Sequence, residues 1–212
     1  MLLTDDDEKK KVFKEFFKTP ISFWKNEDFV PDLKKEILSK EIKGIESNIA
    51  PLLKHNLVES DFRFLTRDHL PVIRDFNSWV YDCLKKTINQ LQEEDVHYEV
   101  MIRESWYHIT KTNGVHEPHT HPGCSWCGLY YVQSGDKGSG QTKFDSPLKS
   151  TYMDRGSFWL GNNTGIGIDP QDGVLVLFPS YLMHYQSLYK GSQDRIVIGF
   201  NCVVHECLSL KD

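Results

Sequence analysis

The sequence predicts a mainly β protein with N-terminal helices, in which the helical part packs against a C-terminal jelly roll. Before residue 96 the apolar residues recur at three- and four-residue steps, as on one face of an amphipathic helix. After residue 96 short apolar segments are separated by Gly, Pro and Asn, which is typical of a β sandwich or barrel. We expect residues 1–212 to form one domain, with a mainly helical support over 1–95 and a β core over 96–212.

The clearest helix is predicted over residues 70–92. Its apolar residues share one face, and Pro71 fits the first turn, where a backbone N–H has no partner within the helix. A weaker helical pattern runs from Leu33 to Ile45. The segment "VFKEFFKTPISFW" before it indicates a helix that leads into a strand around Pro20.

Six strands are predicted in the second part of the chain. They are bounded by turn residues, and their candidate ranges are 97–111, 126–134, 141–145, 157–160, 173–178 and 195–204. Between the second and third strands lies "SGDKGSG" at 134–140. Because clustered glycines allow positive φ, this segment predicts a hairpin loop.

Composition restricts the location and partners. The net charge of −5 gives no sign of a nucleic acid or anionic membrane as partner. The N-terminus becomes charged after three residues, and the apolar runs are too short to span a bilayer, so neither a signal peptide nor a membrane span is expected. The five cysteines are then expected to be reduced thiols, and the predicted location is cytoplasmic.

Histidines and one arginine occur in an order that suggests a metal site. His119 and His121 are two residues apart, so in an extended segment both imidazoles point the same way. His184 follows a buried-looking strand, and Arg195 begins the next one. This order fits a jelly-roll non-haem iron site that uses a carboxylate co-substrate. Such iron needs three protein ligands with open positions opposite them, and arginine binds a carboxylate with two parallel hydrogen bonds.

The segment from Trp106 to Asn201 resembles the 2-oxoglutarate- and Fe(II)-dependent oxygenase superfamily. It is most similar to a prolyl-hydroxylase-like branch found in bacteria and phages. The matching pieces are "GVHEPHTHPGCSWCGLYYV", "FDSP", "DGVLVLFPSYLMH" and "RIVIGFN", and the early "FFKTPISFW" resembles the usual N-terminal opening of that branch.

The resemblance implies a double-stranded β-helix, a cupin-like jelly roll, with residues 96–212 as its catalytic core. It also implies that His119 and His184 bind Fe(II), while Arg195 and the hydroxyl of Tyr131 hold the distal carboxylate of the co-substrate 2-oxoglutarate. The implied reaction hydroxylates an unidentified substrate, a small molecule or a protein, and releases succinate and CO2.

Two positions depart from the superfamily pattern. The first motif usually ends in Asp or Glu, where this chain has His121. We favour His121 as the third iron ligand, because the alternative carboxylates of Glu117 and Asp145 lack the expected spacing. Relatives often carry Ser two residues after the arginine, where this chain has Val197, so one hydrogen bond to the co-substrate is expected to be missing.

Two alternative functions remain at this stage. A cupin-like three-histidine metalloenzyme would not use 2-oxoglutarate, but its usual Glu is absent from positions 124–126. A non-catalytic jelly roll stabilised by metal could use Cys124 and Cys127 with the two nearby histidines as zinc ligands. Because residues three apart in a strand tend to face opposite sides, we expect Cys127 in the core and Cys124 in a loop near the site.

Three further polar residues are candidates for the substrate entrance. They lie close in sequence to the proposed ligands or on the preceding strand, and they are His108, His116 and Glu117.

Overall fold

The computed structural model describes residues 19–39, 54–67, 69–92, 96–136, 140–147 and 165–207. Two helices and nine strands lie in these ranges, together with a short 3-10 helix at Phe64–Thr66. In chain order the elements are β1 (Ser22–Lys25), α1 (Val30–Leu38), β2 (Lys54–Glu59), α2 (Pro71–Leu91), β3 (Tyr98–His119), β4 (Trp126–Gln133), β5 (Thr142–Asp145), β6 (Gly165–Ile168), β7 (Val174–Pro179), β8 (His184–Gln186) and β9 (Arg195–Glu206).

The strands form one curled antiparallel sheet in the order β1-β7-β4-β9-β3-β8-β5-β6, and β2 pairs with β3 beside this path. Strand β3 is long because it pairs with strands of both walls of the curl. Its first part pairs with β9, and its last residues, around His116 and His119, pair with β8. The curl therefore brings β8 and β9 to opposite sides of one interior.

The two faces of β4 separate the larger core from the interior of the curl. Tyr130 packs against Phe76 and Trp79 of α2, with ring centroids 4.8 and 5.8 Å apart. The next residue, Tyr131, points to the other face and joins a smaller apolar cluster with Val197 and Phe178. This alternation follows from the two-residue period of a strand. The helices thus cover the outer face and leave the inner face to line a cavity.

The helix predictions agree with the described part of the chain. Helix α2 begins at Pro71 and ends at Leu91, and Phe76 and Val80 of its predicted apolar face are buried. Ile73 is buried as well but was not predicted on that face, whereas Leu91 was predicted on it and is exposed. The weaker pattern gives α1, which ends at Leu38, and its continuation towards Ile45 lies outside the described residues. Strand β1 follows Pro20, where a strand was expected.

The predicted mainly β fold with N-terminal helices is confirmed, and five of its predicted strands are β3, β4, β5, β7 and β9. The candidate at 157–160 lies outside the described residues. Strand β3 runs eight residues beyond its predicted end at 111, and β2, β6 and β8 were not predicted. Two strands, β1 and β2, come from the part of the chain before residue 96, and the division at residue 96 stays a prediction.

The prediction of a hairpin loop at 134–140 is wrong. Gly135 and Gly140 do adopt positive φ, as expected for a turn. However, β4 is paired on both edges, with β7 and with β9, so it offers no edge to β5. Strand β5 pairs instead with β6 and β8 on the other wall. Strands β4 and β5, which this segment connects, therefore lie in different walls of the curl.

Candidate metal centre

The structure brings His119, His121 and His184 together at one end of the interior. Their potential ligand atoms all lie within 4.8 Å of one another. His119 and His184 are directly opposite each other on the paired strands β3 and β8. His121 follows β3, and its Nε2 lies 3.3 Å from Nε2 of His184. Two nitrogens about 2.1 Å from one ion would have a similar separation, so the three imidazoles fit a shared metal.

Backbone carbonyls fix the tautomers of two of these rings. Nδ1 of His119 lies 2.7 Å from the carbonyl oxygen of Glu117, and Nδ1 of His184 lies 2.9 Å from that of Leu182. Because a carbonyl only accepts hydrogen bonds, each Nδ1 carries the hydrogen and each Nε2 keeps its lone pair. This arrangement is usual for metal-binding histidines, in which the second nitrogen is held by a neighbouring acceptor.

His184 is held in its neutral form. Its pKa is lowered to about 3, mainly by burial and also by the neighbouring His119 and His121, against the opposing effect of the Leu182 carbonyl. Only 4% of the residue is exposed. A neutral imidazole can donate its lone pair to a metal without first losing a proton.

The ring of His121 is positioned by a hydrogen-bond network. The side-chain amide nitrogen of Asn201 lies 3.2 Å from Nδ1 of His121 and 3.1 Å from a carboxylate oxygen of Glu104. The amide oxygen of Asn201 accepts from Sγ of Cys127 at 3.3 Å. On its face, His121 stacks on the indole of Trp106, with ring centroids 5.7 Å apart. These contacts hold the imidazole on several sides.

The cysteines and carboxylates do not join this cluster in the described ranges. Cys127 is buried, as expected for a core residue, and Cys124 is partly exposed in the segment before β4. The cluster that could hold a metal contains three histidines, without Glu117, Asp145 or either cysteine. The geometry therefore favours histidine over the alternatives weighed for the third position.

Arg195 lies at the other end of the same cavity and contacts Tyr131, which is not among the described residues that line the cavity. The guanidinium of Arg195 lies over the ring of Tyr131, 5.4 Å from its centroid, and its Nη2 donates to Oγ1 of Thr142 at 3.2 Å. The hydroxyl of Tyr131 donates to the same oxygen at 2.7 Å. Arg195 is 1% exposed, and its Nε and Nη1 have no acceptor among the described residues. Burial lowers the pKa of this guanidinium, and Tyr131 partly offsets that effect.

A cavity of about 490 Å3, which includes the space at its open side, connects the two ends. Val197 lies on its wall, so this position faces the interior as expected but offers no hydroxyl group. Of the three entrance candidates, His108 and His116 line the cavity, whereas Glu117 is absent from its wall. His108 forms a buried contact with Glu59 of β2, with Nε2 and Oε1 2.7 Å apart.

Comparison with protein families supports this arrangement. Residues 104–201 match the family model described as "Putative 2OG-Fe(II) oxygenase". The matched segment holds all three histidines of the cluster together with Tyr131 and Arg195. This part of the chain is therefore similar to the 2OG-Fe(II) oxygenase family. The predicted enzyme class and its dependence on iron and 2-oxoglutarate are thereby confirmed. None of the curated proteins compared matches the sequence of the chain.

Solved structures of other oxygenases share the fold of this oxygenase. A prolyl-4-hydroxylase from Pseudomonas putida is similar with a TM-score of 0.60 and 13% identity, over 87% of this chain and 93% of the other. A Trichoplax adhaerens prolyl hydroxylase, in complex with a hypoxia inducible factor peptide fragment, is similar with a TM-score of 0.57 and 16% identity, over 86% of this chain and 83% of the other. HygX from Streptomyces hygroscopicus, with nickel, 2-oxoglutarate and hygromycin B bound, is similar with a TM-score of 0.56 and 12% identity, over 87% of this chain and 83% of the other. The predicted jelly roll is confirmed.

Several residues of the oxygenase cavity were not identified from the sequence. Gln186 lies two residues after His184, and the period of a strand would have placed both on one face. In the same way, Thr142 shares the buried face of β5 with Phe144. No local pattern indicates Trp106 or Asn201, since they reach the site only through pairing of β3 with β9. The described part of the chain contains no helix long and apolar enough to cross a membrane.

Proposed function

We propose that His119, His121 and His184 bind Fe(II), and that Arg195 and Tyr131 hold the distal carboxylate of 2-oxoglutarate. With these groups bound, the protein hydroxylates a C–H group of an organic substrate and releases succinate and CO2. The observation that carries this proposal is the buried guanidinium of Arg195. Two of its nitrogens lack an acceptor within the described ranges, and it shares one cavity with the three imidazoles. A buried charge without a partner is costly, so this position calls for an anionic ligand.

The charge of the cavity supports a dianionic co-substrate. Three neutral imidazoles leave the two positive charges of Fe(II) uncompensated, and Arg195 adds a third. None of the described residues that line the cavity is acidic. A dicarboxylate would offset two of these charges, with one carboxylate at the metal and the other at Arg195. A neutral ligand would leave both ends of the cavity uncompensated.

The roles of the protein groups follow from their contacts. Fe(II) would supply the oxygen chemistry, while the protein supplies geometry and excludes water. Arg195 offers a planar fork that matches a carboxylate. Thr142 accepts hydrogen bonds from both Tyr131 and Arg195, so its own hydroxyl hydrogen is available for the carboxylate. Because Tyr131 gives its single hydroxyl hydrogen to Thr142, it would hold the carboxylate through Thr142. The aromatic rings of Phe144 and Phe178 pack beside His184 and keep this side of the metal site dry.

The test is formation of succinate by the purified protein supplied with Fe(II), 2-oxoglutarate and dioxygen. We expect succinate to form only when all three are present, and the His184→Ala variant to form none. Cys124→Ser is the matched control, because Cys124 lies near the site but outside the histidine cluster, and it should keep wild-type turnover. Oxygenation without 2-oxoglutarate would favour the cupin-like alternative. Tightly bound zinc that Cys124→Ser releases would favour a structural metal site.

For the substrate we keep the proposal of a small molecule or a protein. It is supported by the range of ligands on the similar folds, a peptide fragment in one and hygromycin B in another. For the location we propose the cytoplasm. All five cysteines are free thiols, as expected in a reducing compartment.

A further inference from the structure

In the part of the chain that the structure describes, the buried polar atoms that lack a partner in this cavity are all hydrogen-bond donors. Among the described residues that line it, such atoms belong to Arg195, Gln186 and Trp106. They are Nε and Nη1 of the guanidinium, Nε2 of the amide and Nε1 of the indole. Buried polar groups are almost always paired, so each of these donors calls for an acceptor that a ligand brings. A ligand rich in oxygen acceptors fits this set.

Gln186 lies at the Arg195 end of the cavity. It is directly opposite Thr142 on the neighbouring strand β5, and Thr142 accepts from Arg195. The amide oxygen of Gln186 accepts from the hydroxyl of Thr110 at 3.1 Å, and Thr110 is opposite Arg195 in β3 and β9. This bond fixes the orientation of the amide, because its oxygen is turned to Thr110 and its NH2 group is turned away from it.

The position of Gln186 along β8 matches the length of the co-substrate. Gln186 follows His184 by two residues, which in a strand corresponds to about 7 Å on the same face. The four carbon–carbon bonds between the two carboxylate carbons of 2-oxoglutarate span about 5 Å when extended. A ligand with its keto acid end at the histidines would thus place its distal carboxylate close to Gln186.

Trp106 lies at the histidine end. It is 5% exposed, and its indole stacks on His121. The partner of Trp106 on β9 is Gly199, which stands in the same inward-facing row as Arg195 and Val197. A Cβ atom on Gly199 would come within 2.8 Å of the indole Nε1, so the N–H edge of the ring lies over the cavity side of β9. This donor is therefore next to the metal-binding histidines.

We propose that Gln186 and Trp106 are positioning residues for the two ends of 2-oxoglutarate. The amide of Gln186 donates to the distal carboxylate beside Arg195, and the indole of Trp106 donates to the carboxylate next to the keto group. This inference rests on the proposed function of the cavity. With these two residues, each end of the cavity has one neutral hydrogen-bond donor, so the protein selects the diacid by its length as well as by its charge.

The test compares two ligands that differ at one end. Calorimetry on protein saturated with Mn(II), without dioxygen, measures the Kd of 2-oxoglutarate and, by competition, that of 2-oxopentanoate, which has a methyl group in place of the distal carboxylate. A hydrogen bond to a charged group contributes enough to change a Kd roughly 10- to 100-fold. Gln186→Leu should raise the Kd of 2-oxoglutarate by that factor and leave the Kd of 2-oxopentanoate unchanged. Trp106→Phe should raise the Kd values of both ligands.

Two controls separate these effects from general damage. Trp79→Phe and Gln141→Leu change the same residue types outside the cavity and should leave both Kd values unchanged. The Kd of Mn(II) and the Tm of each variant show whether the histidine cluster and fold persist. If Trp106→Phe does not fold, NMR of the wild-type protein loaded with Zn(II) replaces it, and one indole N–H resonance should move downfield when 2-oxoglutarate binds.

The outcomes distinguish the inference from the function on which it rests. If the wild-type protein does not bind 2-oxoglutarate, the proposed function fails. If the wild-type protein binds it and both variants bind equally well, or no indole resonance moves, the proposed function stands and the inference is wrong. A loss of 2-oxopentanoate binding in Gln186→Leu would also overturn the assignment of Gln186 to the distal end.

Discussion

Acid should destabilise the metal-free protein through His184. The ordinary pKa of 6.5 for this side chain applies to the unfolded chain, whereas in the folded chain burial and the two neighbouring histidines lower the pKa to about 3. As the pH falls below 6.5, His184 becomes protonated in the unfolded state but stays neutral in the folded state, so the free energy of unfolding decreases. Each pKa unit corresponds to about 1.36 kcal/mol, and integration from pH 7 to pH 5 gives a loss of ~2 kcal/mol from this one group.

The assay is urea unfolding of protein treated with a chelator, at pH 7 and at pH 5. Because other groups also titrate in this range, the quantity of interest is the difference between the wild type and His184→Phe. Phenylalanine has a similar shape and sits among the aromatic rings of Phe144 and Phe178, but it does not titrate. We expect the variant to lose about 2 kcal/mol less than the wild type between the two pH values. Equal losses would refute the argument that the buried imidazole is neutral.

Three further results are expected. Mn(II) at 100 times its Kd should stabilise the wild type against heat by about 2.7 kcal/mol, and His184→Ala should abolish this stabilisation in differential scanning fluorimetry. Arg195→Lys should bind 2-oxoglutarate at least about 10-fold more weakly than the wild type, because an ammonium group cannot form two parallel hydrogen bonds to a carboxylate; an unchanged Kd would contradict that geometry. Gly128→Ala should reduce the free energy of unfolding by about 1–3 kcal/mol, since its Cβ would lie 2.1 Å from the ring of Phe200, and unaltered urea unfolding would show that the ring moves freely.

Local sequence patterns predicted the parts of the fold that depend on local periodicity. The face of α2 and the inward and outward positions of Tyr131 and Tyr130 follow from periods of 3.6 and 2 residues, which are visible in the letters. The hairpin between β4 and β5 could not be judged in this way. Whether two consecutive strands pair depends on which edges are already occupied, and β7 and β9 come later in the chain. Such long-range pairing leaves no signal in the turn itself.

The candidate site shows the same limit. The three histidines and Arg195 carry a recognisable order in the sequence, and the curled sheet places them around one cavity. Thr142, Gln186 and Trp106 have ordinary residue types for strands and loops, so only their position across from the named residues gives them a role. The donors of Gln186 and Trp106 that lack a partner among the described residues are found only when the buried polar atoms around the cavity are matched with their neighbours.

The histidine at position 121 changes the electrostatics of the site in a definite direction. Where the superfamily pattern has Asp or Glu, this chain has His121. The nearby carboxylate of Glu104 accepts a hydrogen bond from the side-chain amide of Asn201, and the same amide contacts His121. Glu104 is exposed, so water and salt screen its charge from the metal. The proposed iron centre therefore keeps about one more positive charge than a centre with a bound carboxylate. A dianion gains more from such a centre than a monoanion does, which links the replacement at position 121 to the excess of donors along the cavity.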